Sequence, residues 1–161
     1  MTIKILTTGG TFDKVYFDAL SEFHIGEPMV GELLEEANVT FSYAVESLLK
    51  KDSLEITRED RELIRNRVAS VTESKVIITH GTDTMVDTAK CLQGIEDKTV
   101  VLFGAMQPAR MRYSDAMFNL GIAIAAVQTL SAGIYLAMNG QIFNPNEVAK
   151  NRAEARFEPI A

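Results

Sequence analysis

The sequence predicts an α/β domain with a mostly parallel, flavodoxin-like sheet held between two layers of helices. Three observations carry that expectation. Short aliphatic runs (Ile3–Leu6, Val76–Thr79, Thr99–Phe103, Ile134–Met138) alternate with stretches of helical period, the pattern of βαβ units joined by right-handed crossovers. Two of the runs end in turns of glycine and hydroxyl residues, Thr7-Thr8-Gly9-Gly10-Thr11 and Thr79-His80-Gly81-Thr82-Asp83-Thr84. Open parallel sheets bind ligands beyond the carboxyl ends of their strands, where the strand order reverses. Two such turns therefore imply one composite site.

Composition sets the outer limits. With 161 residues, 47% hydrophobic and 24% charged, the chain reads as one domain, 1–161, with a sizeable core. A net charge of -6 argues against a nucleic-acid partner, and the pair Arg110 and Arg112 is too small a basic patch to hold a phosphate backbone. The single cysteine, Cys91, has no intrachain disulfide partner and is expected as a small buried hydrophobe on a helix. The amino terminus enters a strand at once, without a basic or long apolar leader. The longest apolar run, Leu120–Val127, contains Gly121 and is too short to span a bilayer. A cytoplasmic, water-soluble protein without a membrane partner is the expectation.

Taken in order, Ile3–Leu6 reads as a buried central strand. Residues Phe12–Pro28, with Tyr16, His24 and Gly26, show no clean period and are expected to form an irregular loop of lid length. Met29–Ala37 is apolar at 29, 30, 33, 34 and 37, a helical spacing. Val39–Val45 reads as a strand with Val39, Phe41, Tyr43 and Val45 on one face, followed by a charged turn at Leu48–Leu54. Thr57 with Asp60 resembles a capping box, opening a helix whose apolar positions are Leu63, Ile64, Val68 and Val71. The strand Val76–Thr79 leads through the second turn into a helix over Met85–Gln93. Thr99–Phe103 runs into Gly104-Ala105-Met106-Gln107-Pro108, and Ser114 or Asp115 caps a helix reaching about Thr129. Ile134–Met138 is the fifth strand, and Asn139-Gly140 signals a hairpin with Gln141-Ile142-Phe143. The tail, Asn144–Ala161, is polar, with Lys150, Arg152 and Arg156.

The familiar ligand motifs are absent. Gly9-Gly10 lacks the third glycine of a dinucleotide fingerprint, and no P-loop or G-x-S-x-G elbow occurs. The two histidines, His24 and His80, share no ligand spacing, so neither a metal nor another cofactor is expected. His80 reads as a structural, hydrogen-bonded residue at a strand end. What remains is hydroxyl chemistry. A threonine is a poor nucleophile until a base takes its proton, and Thr11 has candidates in Tyr16 and Asp83. Glycines beside it allow backbone N–H groups to approach a developing oxyanion.

At these residues the chain resembles the bacterial-type L-asparaginase family. The two turns look like its two signature motifs. Gly104-Ala105-Met106-Gln107-Pro108, Ser114-Asp115-Ala116 and Phe118-Asn119-Leu120 resemble a third family stretch. The resemblance implies that Thr11 attacks the amide carbon, with Tyr16 assisting from its loop. It implies a second catalytic group of Thr82, Asp83 and Lys150, the lysine of Val148-Ala149-Lys150-Asn151. Gly10, Ser53, Thr82 and Asp83 are implied as substrate contacts, Ser53 toward the carboxylate and Asp83 toward the ammonium.

The implied reaction is hydrolysis of L-asparagine to L-aspartate and ammonia through a threonine acyl-enzyme. A related amidase acting on L-glutamine or another amino-acid amide is an alternative; a non-catalytic amino-acid-binding or subunit module is another. Family members carry a second domain that closes the site from a neighbouring subunit. The resemblance here is to the amino-terminal catalytic domain alone. The missing wall is expected from a homo-oligomeric partner (dimer or tetramer), from the Phe12–Pro28 loop, or not at all.

Overall fold

The structure, a computed structural model, describes residues 1–17 and 22–160. Its elements run β1 (Thr2–Gly9), β2 (Lys14–Phe17), β3 (Glu22–Ile25), α1 (Val30–Glu36), β4 (Ser42–Lys51) and α2 (Arg58–Ser70). There follow β5 (Lys75–Thr79), α3 (Met85–Cys91), β6 (Thr99–Phe103), α4 (Ala116–Thr129), β7 (Gly133–Met138), β8 (Gln141–Phe143), β9 (Val148–Asn151) and β10 (Arg156–Pro159). One sheet has the order β4-β1-β5-β6-β7-β8. Its first five strands are parallel, and β8 returns antiparallel to β7. This is the flavodoxin order with an added edge strand, and the order reverses between β1 and β5.

Strand alternation divides the core. Ile3, Ile5, Ile77, Val101 and Phe103 face one layer with α1 and α4, while Leu6, Val76, Ile78, Val100 and Leu102 face the other with α2 and α3. A fully buried aliphatic side chain of this kind contributes about 1.5–3 kcal/mol. Both faces are covered, so the central strands read as continuous apolar runs.

Several expectations are corrected. The described residues of 12–28 are regular structure rather than an irregular loop: a short 3-10 turn at Thr11–Asp13 leads into β2, which pairs antiparallel with β3. Residues 18–21 lie outside the described residues. The strand expected at Val39–Val45 begins three residues later and runs through the supposed charged turn to Lys51. β4 is an edge strand, where charged side chains are tolerated. There Glu46 accepts a bidentate pair from Arg67 at 2.7 and 2.8 Å, and Lys51 meets Asp60 at 2.7 Å.

On α2 the Thr57–Asp60 capping box is present in both directions, at 2.9 and 3.1 Å. Leu63, however, is 47% exposed; the buried stripe is Ile64 and Val68 with Val71 beyond the helix end. Cys91 closes α3 and is exposed, not buried. The helix ends there rather than at Gln93.

The Asn139-Gly140 hairpin forms with φ of 53 and 74 at its two turn residues, the left-handed pair a type I′ turn requires. The tail is structured: β9 and β10 form a second hairpin anchored by buried Val148 and Phe157. The Asn139 carboxamide oxygen accepts the Phe157 N–H at 2.7 Å, tying that hairpin to the end of β7.

Candidate active site

Three backbone segments meet at the carboxyl end of the sheet, at the point of strand reversal, and glycines make the meeting possible. Gly10 has φ +80, and a Cβ there would lie 2.5 Å from the Gly81 backbone. A Cβ on Gly81 would in turn lie 2.6 Å from the Ser53 Cβ. The Gly10 N–H donates to the Lys51 carbonyl at 2.9 Å, which seats the first turn on the end of β4. Thr11 follows at the start of its 3-10 turn, half-buried.

The second turn is held from both sides. The Asp83 N–H donates to the Ser53 hydroxyl at 3.2 Å, and the Thr84 hydroxyl donates to the Ser53 carbonyl at 2.7 Å. Beneath it His80 is fully buried and pushed down to about 4 by desolvation. It is therefore neutral at ordinary pH. Its Nδ1 lies 2.7 Å from the Gly81 carbonyl, so that nitrogen carries the proton and donates, and Nε2 accepts from the Thr88 hydroxyl at 2.8 Å. The structural role expected of His80 is the one it has.

The tail hairpin delivers the lysine. Lys150 Nζ donates to Thr82 Oγ1 and to Asp83 Oδ1, each at 2.7 Å, with 15% of the lysine side chain exposed. Hydrogen bonding to Lys150 holds the Asp83 carboxyl below the ordinary carboxylate range. Arg152, on the same hairpin, approaches Asp83 Oδ1 at 3.4 Å.

The structure thus brings Gly10, Ser53, Thr82, Asp83 and Lys150 together. It places Tyr16 on β2, 49% exposed, with its ring 5.4 Å from that of Phe23. No hydrogen bond joins Tyr16 to Thr11 among the described residues. Arg152 and Lys14 were not singled out in the sequence. Lys14 reaches Asp52 at 3.4 Å, immediately before Ser53, and its charge is felt at Asp83. Surface lysines and arginines in a polar stretch give no periodic signal.

The stretch Gly104-Ala105-Met106-Gln107-Pro108 after β6 is fastened at the start of α4. The Asp115 carboxylate accepts the N–H groups of Met106 and Gln107 at 2.9 and 3.0 Å, and Asn119 Nδ2 donates to the Gly104 carbonyl at 2.9 Å. The helix cap falls instead to Ser114, whose hydroxyl accepts the Ala116 N–H at 3.0 Å. Asp115 and Asn119 lie within the quoted family stretch.

Fold and site together define an α/β domain of flavodoxin topology with a hydroxyl, carboxylate and ammonium cluster at its switch point. The chain belongs to the asparaginase family: the family model described as "Asparaginase, N-terminal" matches residues 2–158. A glutaminase-asparaginase of Acinetobacter glutaminasificans is 34% identical, over 92% of this chain and 49% of its own length. A probable periplasmic L-asparaginase of Haemophilus influenzae is 30% identical, over 95% of this chain and 47% of its own. The thermostable L-asparaginase of Thermococcus kodakarensis superposes with a TM-score of 0.86 at 27% identity, over 99% of this chain and 51% of that one. The chain spans about half the length of the curated relatives it matches. No helix among the described residues is long and apolar enough to cross a membrane.

Proposed function

We propose that this chain hydrolyses the side-chain amide of L-asparagine to L-aspartate and ammonia, with Thr11 as nucleophile. The observation that carries the reading is the Lys150 ammonium bridging Thr82 and Asp83 at 2.7 Å each, beside the Gly10–Thr11 turn. Thr11 Oγ attacks the amide carbon and Tyr16 assists removal of its proton. The carbonyl oxygen takes the negative charge and receives backbone N–H groups of the glycine turn. The C–N bond breaks, nitrogen gains a proton and leaves as ammonia, and an ester to Thr11 remains. A water polarised at Thr82, Asp83 and Lys150 then attacks that ester, and aspartate departs with Thr11 reprotonated.

Binding follows from the same groups. Asp83 Oδ1 is occupied by Lys150 and Arg152, which leaves Oδ2 for the substrate ammonium. An aspartate held below the ordinary carboxylate range is ionised at neutral pH, where the substrate amine is charged. The Ser53 hydroxyl, which accepts from Asp83 N–H, keeps its own proton to donate to the substrate carboxylate. The domain is proposed to work as a unit over 1–161, in the cytoplasm and as a homo-oligomer. Cell fractionation and light scattering check the last two.

Glutamine is the second reading, favoured by the glutaminase-asparaginase likeness. The two substrates differ by one methylene, worth about 1–3 kcal/mol in a fitted pocket. The test is ammonia release from L-asparagine and L-glutamine by the wild type and by Thr11→Ala. Release by the wild type alone supports the reading, and the rate ratio sets the preference. Binding of either amino acid with no ammonia released would leave a non-catalytic module.

A further inference from the structure

Asp13 is a carboxylate for which the proposed chemistry has no use, two residues from Thr11 and 1% exposed. Burying an ionisable group is costly unless it holds something. Its Oδ1 accepts the N–H of Met29, at the start of α1, at 2.9 Å. Its carbonyl accepts the Gly26 N–H at 2.8 Å and Arg110 Nη1 at 2.9 Å. The other arm of that guanidinium, Nη2, donates to the Glu27 carbonyl at 2.9 Å. Phe12, between Thr11 and Asp13, has its carbonyl on the Ala109 N–H at 3.0 Å and its ring edge-on to Phe103. Four segments therefore converge: the nucleophile turn, the exit of the β2–β3 hairpin, the start of α1, and the stretch after β6.

We propose that Asp13 is a positioning residue for Thr11, its carboxylate and carbonyl clasping the nucleophile turn, through Met29 and Arg110, to α1 and to the stretch after β6. The inference rests on the reading of Thr11 as nucleophile. A threonine that must reach an amide carbon tolerates little displacement, because a misplacement of about 1 Å costs on the order of 100-fold in rate. The clasp fixes the turn on its buried side.

Charge enters through burial. Desolvation pushes Asp13 up to about 6, against the Met29 N–H and the charges of Arg110 and Lys50, with Glu27 acting in the same sense as burial. At pH 7.5 the group is an ionised acceptor, and at pH 5 it is a neutral acid that accepts the Met29 N–H more weakly. The clasp loosens on acidification.

The test is the pH profile of kcat and KM between pH 5 and 8 for wild type, Asp13→Asn and Asp13→Ala. The wild type is expected to lose kcat several-fold below a midpoint near 6, with KM little changed. Asp13→Asn keeps an acceptor without a titration, so its kcat stays level through that window, a few-fold below the wild-type plateau. Folded Asp13→Ala is expected to lose at least 10-fold in kcat. Wild-type kcat in that variant, or an Asp13→Asn profile parallel to wild type, overturns the proposal; if Asp13→Ala does not fold, Asp13→Asn decides. Should the wild type release no ammonia at all, the functional reading has failed, and the clasp is read by NMR. A Met29 amide resonance that titrates near pH 6 in wild type and not in Asp13→Asn supports it, and an unmoved resonance overturns it.

Discussion

Lys150 Nζ lies 2.7 Å from Thr82 Oγ1, although 68 residues separate them in the chain. The contact depends on the tail hairpin, which is pinned by Phe157 in the core and by Asn139 at the end of β7. The ammonium donates to both the hydroxyl and the carboxylate and so fixes the group at which the proposed water attack occurs. Lys150→Ala is therefore expected to lower kcat by about 10²–10⁴, the usual range for a proton-transfer group. Steady-state ammonia release checks it. A loss confined to KM would assign Lys150 to binding alone.

Two buried titratable groups oppose each other in their effect on stability. His80 is held at about 4 when folded against 6.5 unfolded, so the unfolded chain takes up the proton first and stability falls as pH drops below about 6.5. Asp13 is the reverse. Raised to about 6 from 3.8, it is protonated first in the folded state, so stability rises as pH drops below about 6. From pH 7.5 to 5 each contributes about 1–2 kcal/mol, with opposite sign. Relative to wild type, Asp13→Asn should become less stable on acidification and His80→Asn more stable, read as urea midpoints at the two pH values. Parallel shifts in the two variants contradict this assignment.

Thr7 and Thr79 face each other across β1 and β5, and their buried hydroxyls have no hydrogen-bond partner among the described residues. An unpaired buried hydroxyl costs stability, whereas an apolar group of the same shape is neutral or favourable. Thr7→Val and Thr79→Val should leave the urea midpoint unchanged or raise it, by up to about 1 kcal/mol in stability. A loss above about 2 kcal/mol would mean that the hydroxyls are in use.

Two glycine-to-alanine changes should have opposite outcomes. Gly81→Ala drives a methyl to 2.6 Å from Ser53 Cβ and 2.8 Å from its hydroxyl, so the second turn must move. Overpacking of this kind costs about 1–3 kcal/mol, and kcat should fall with it. Gly121 lies within α4 with open space around a Cβ, where alanine should stabilise by about 0.5–1 kcal/mol and leave turnover alone. Thermal melts and ammonia release on both variants check the pair.

The sequence made the sheet legible because its central strands are buried on both faces and read as unbroken aliphatic runs. Both glycine turns were legible for a related reason: close backbone approach at Gly10 and Gly81 admits no side chain. β4 was misplaced because an edge strand carries Glu46, Lys50 and Lys51, which imitate a turn. The tail hairpin escaped because four-residue strands with one buried anchor each, Val148 and Phe157, show no period. Lys150 came from the family resemblance, since nothing local distinguishes it. The clasp at Asp13 escaped because its partners, Met29 and Arg110, lie 16 and 97 residues away.

An ester at Thr11 is the intermediate on which the proposed reaction turns, and mass spectrometry of acid-quenched mixtures of enzyme and L-asparagine detects it. In Lys150→Ala, where water attack is expected to be slowed, the peptide that contains Thr11 should gain the mass of one aspartyl residue. No such gain is expected in Thr11→Ala. An adduct on another residue, or undiminished ammonia release by Thr11→Ala, would contradict the proposed reaction.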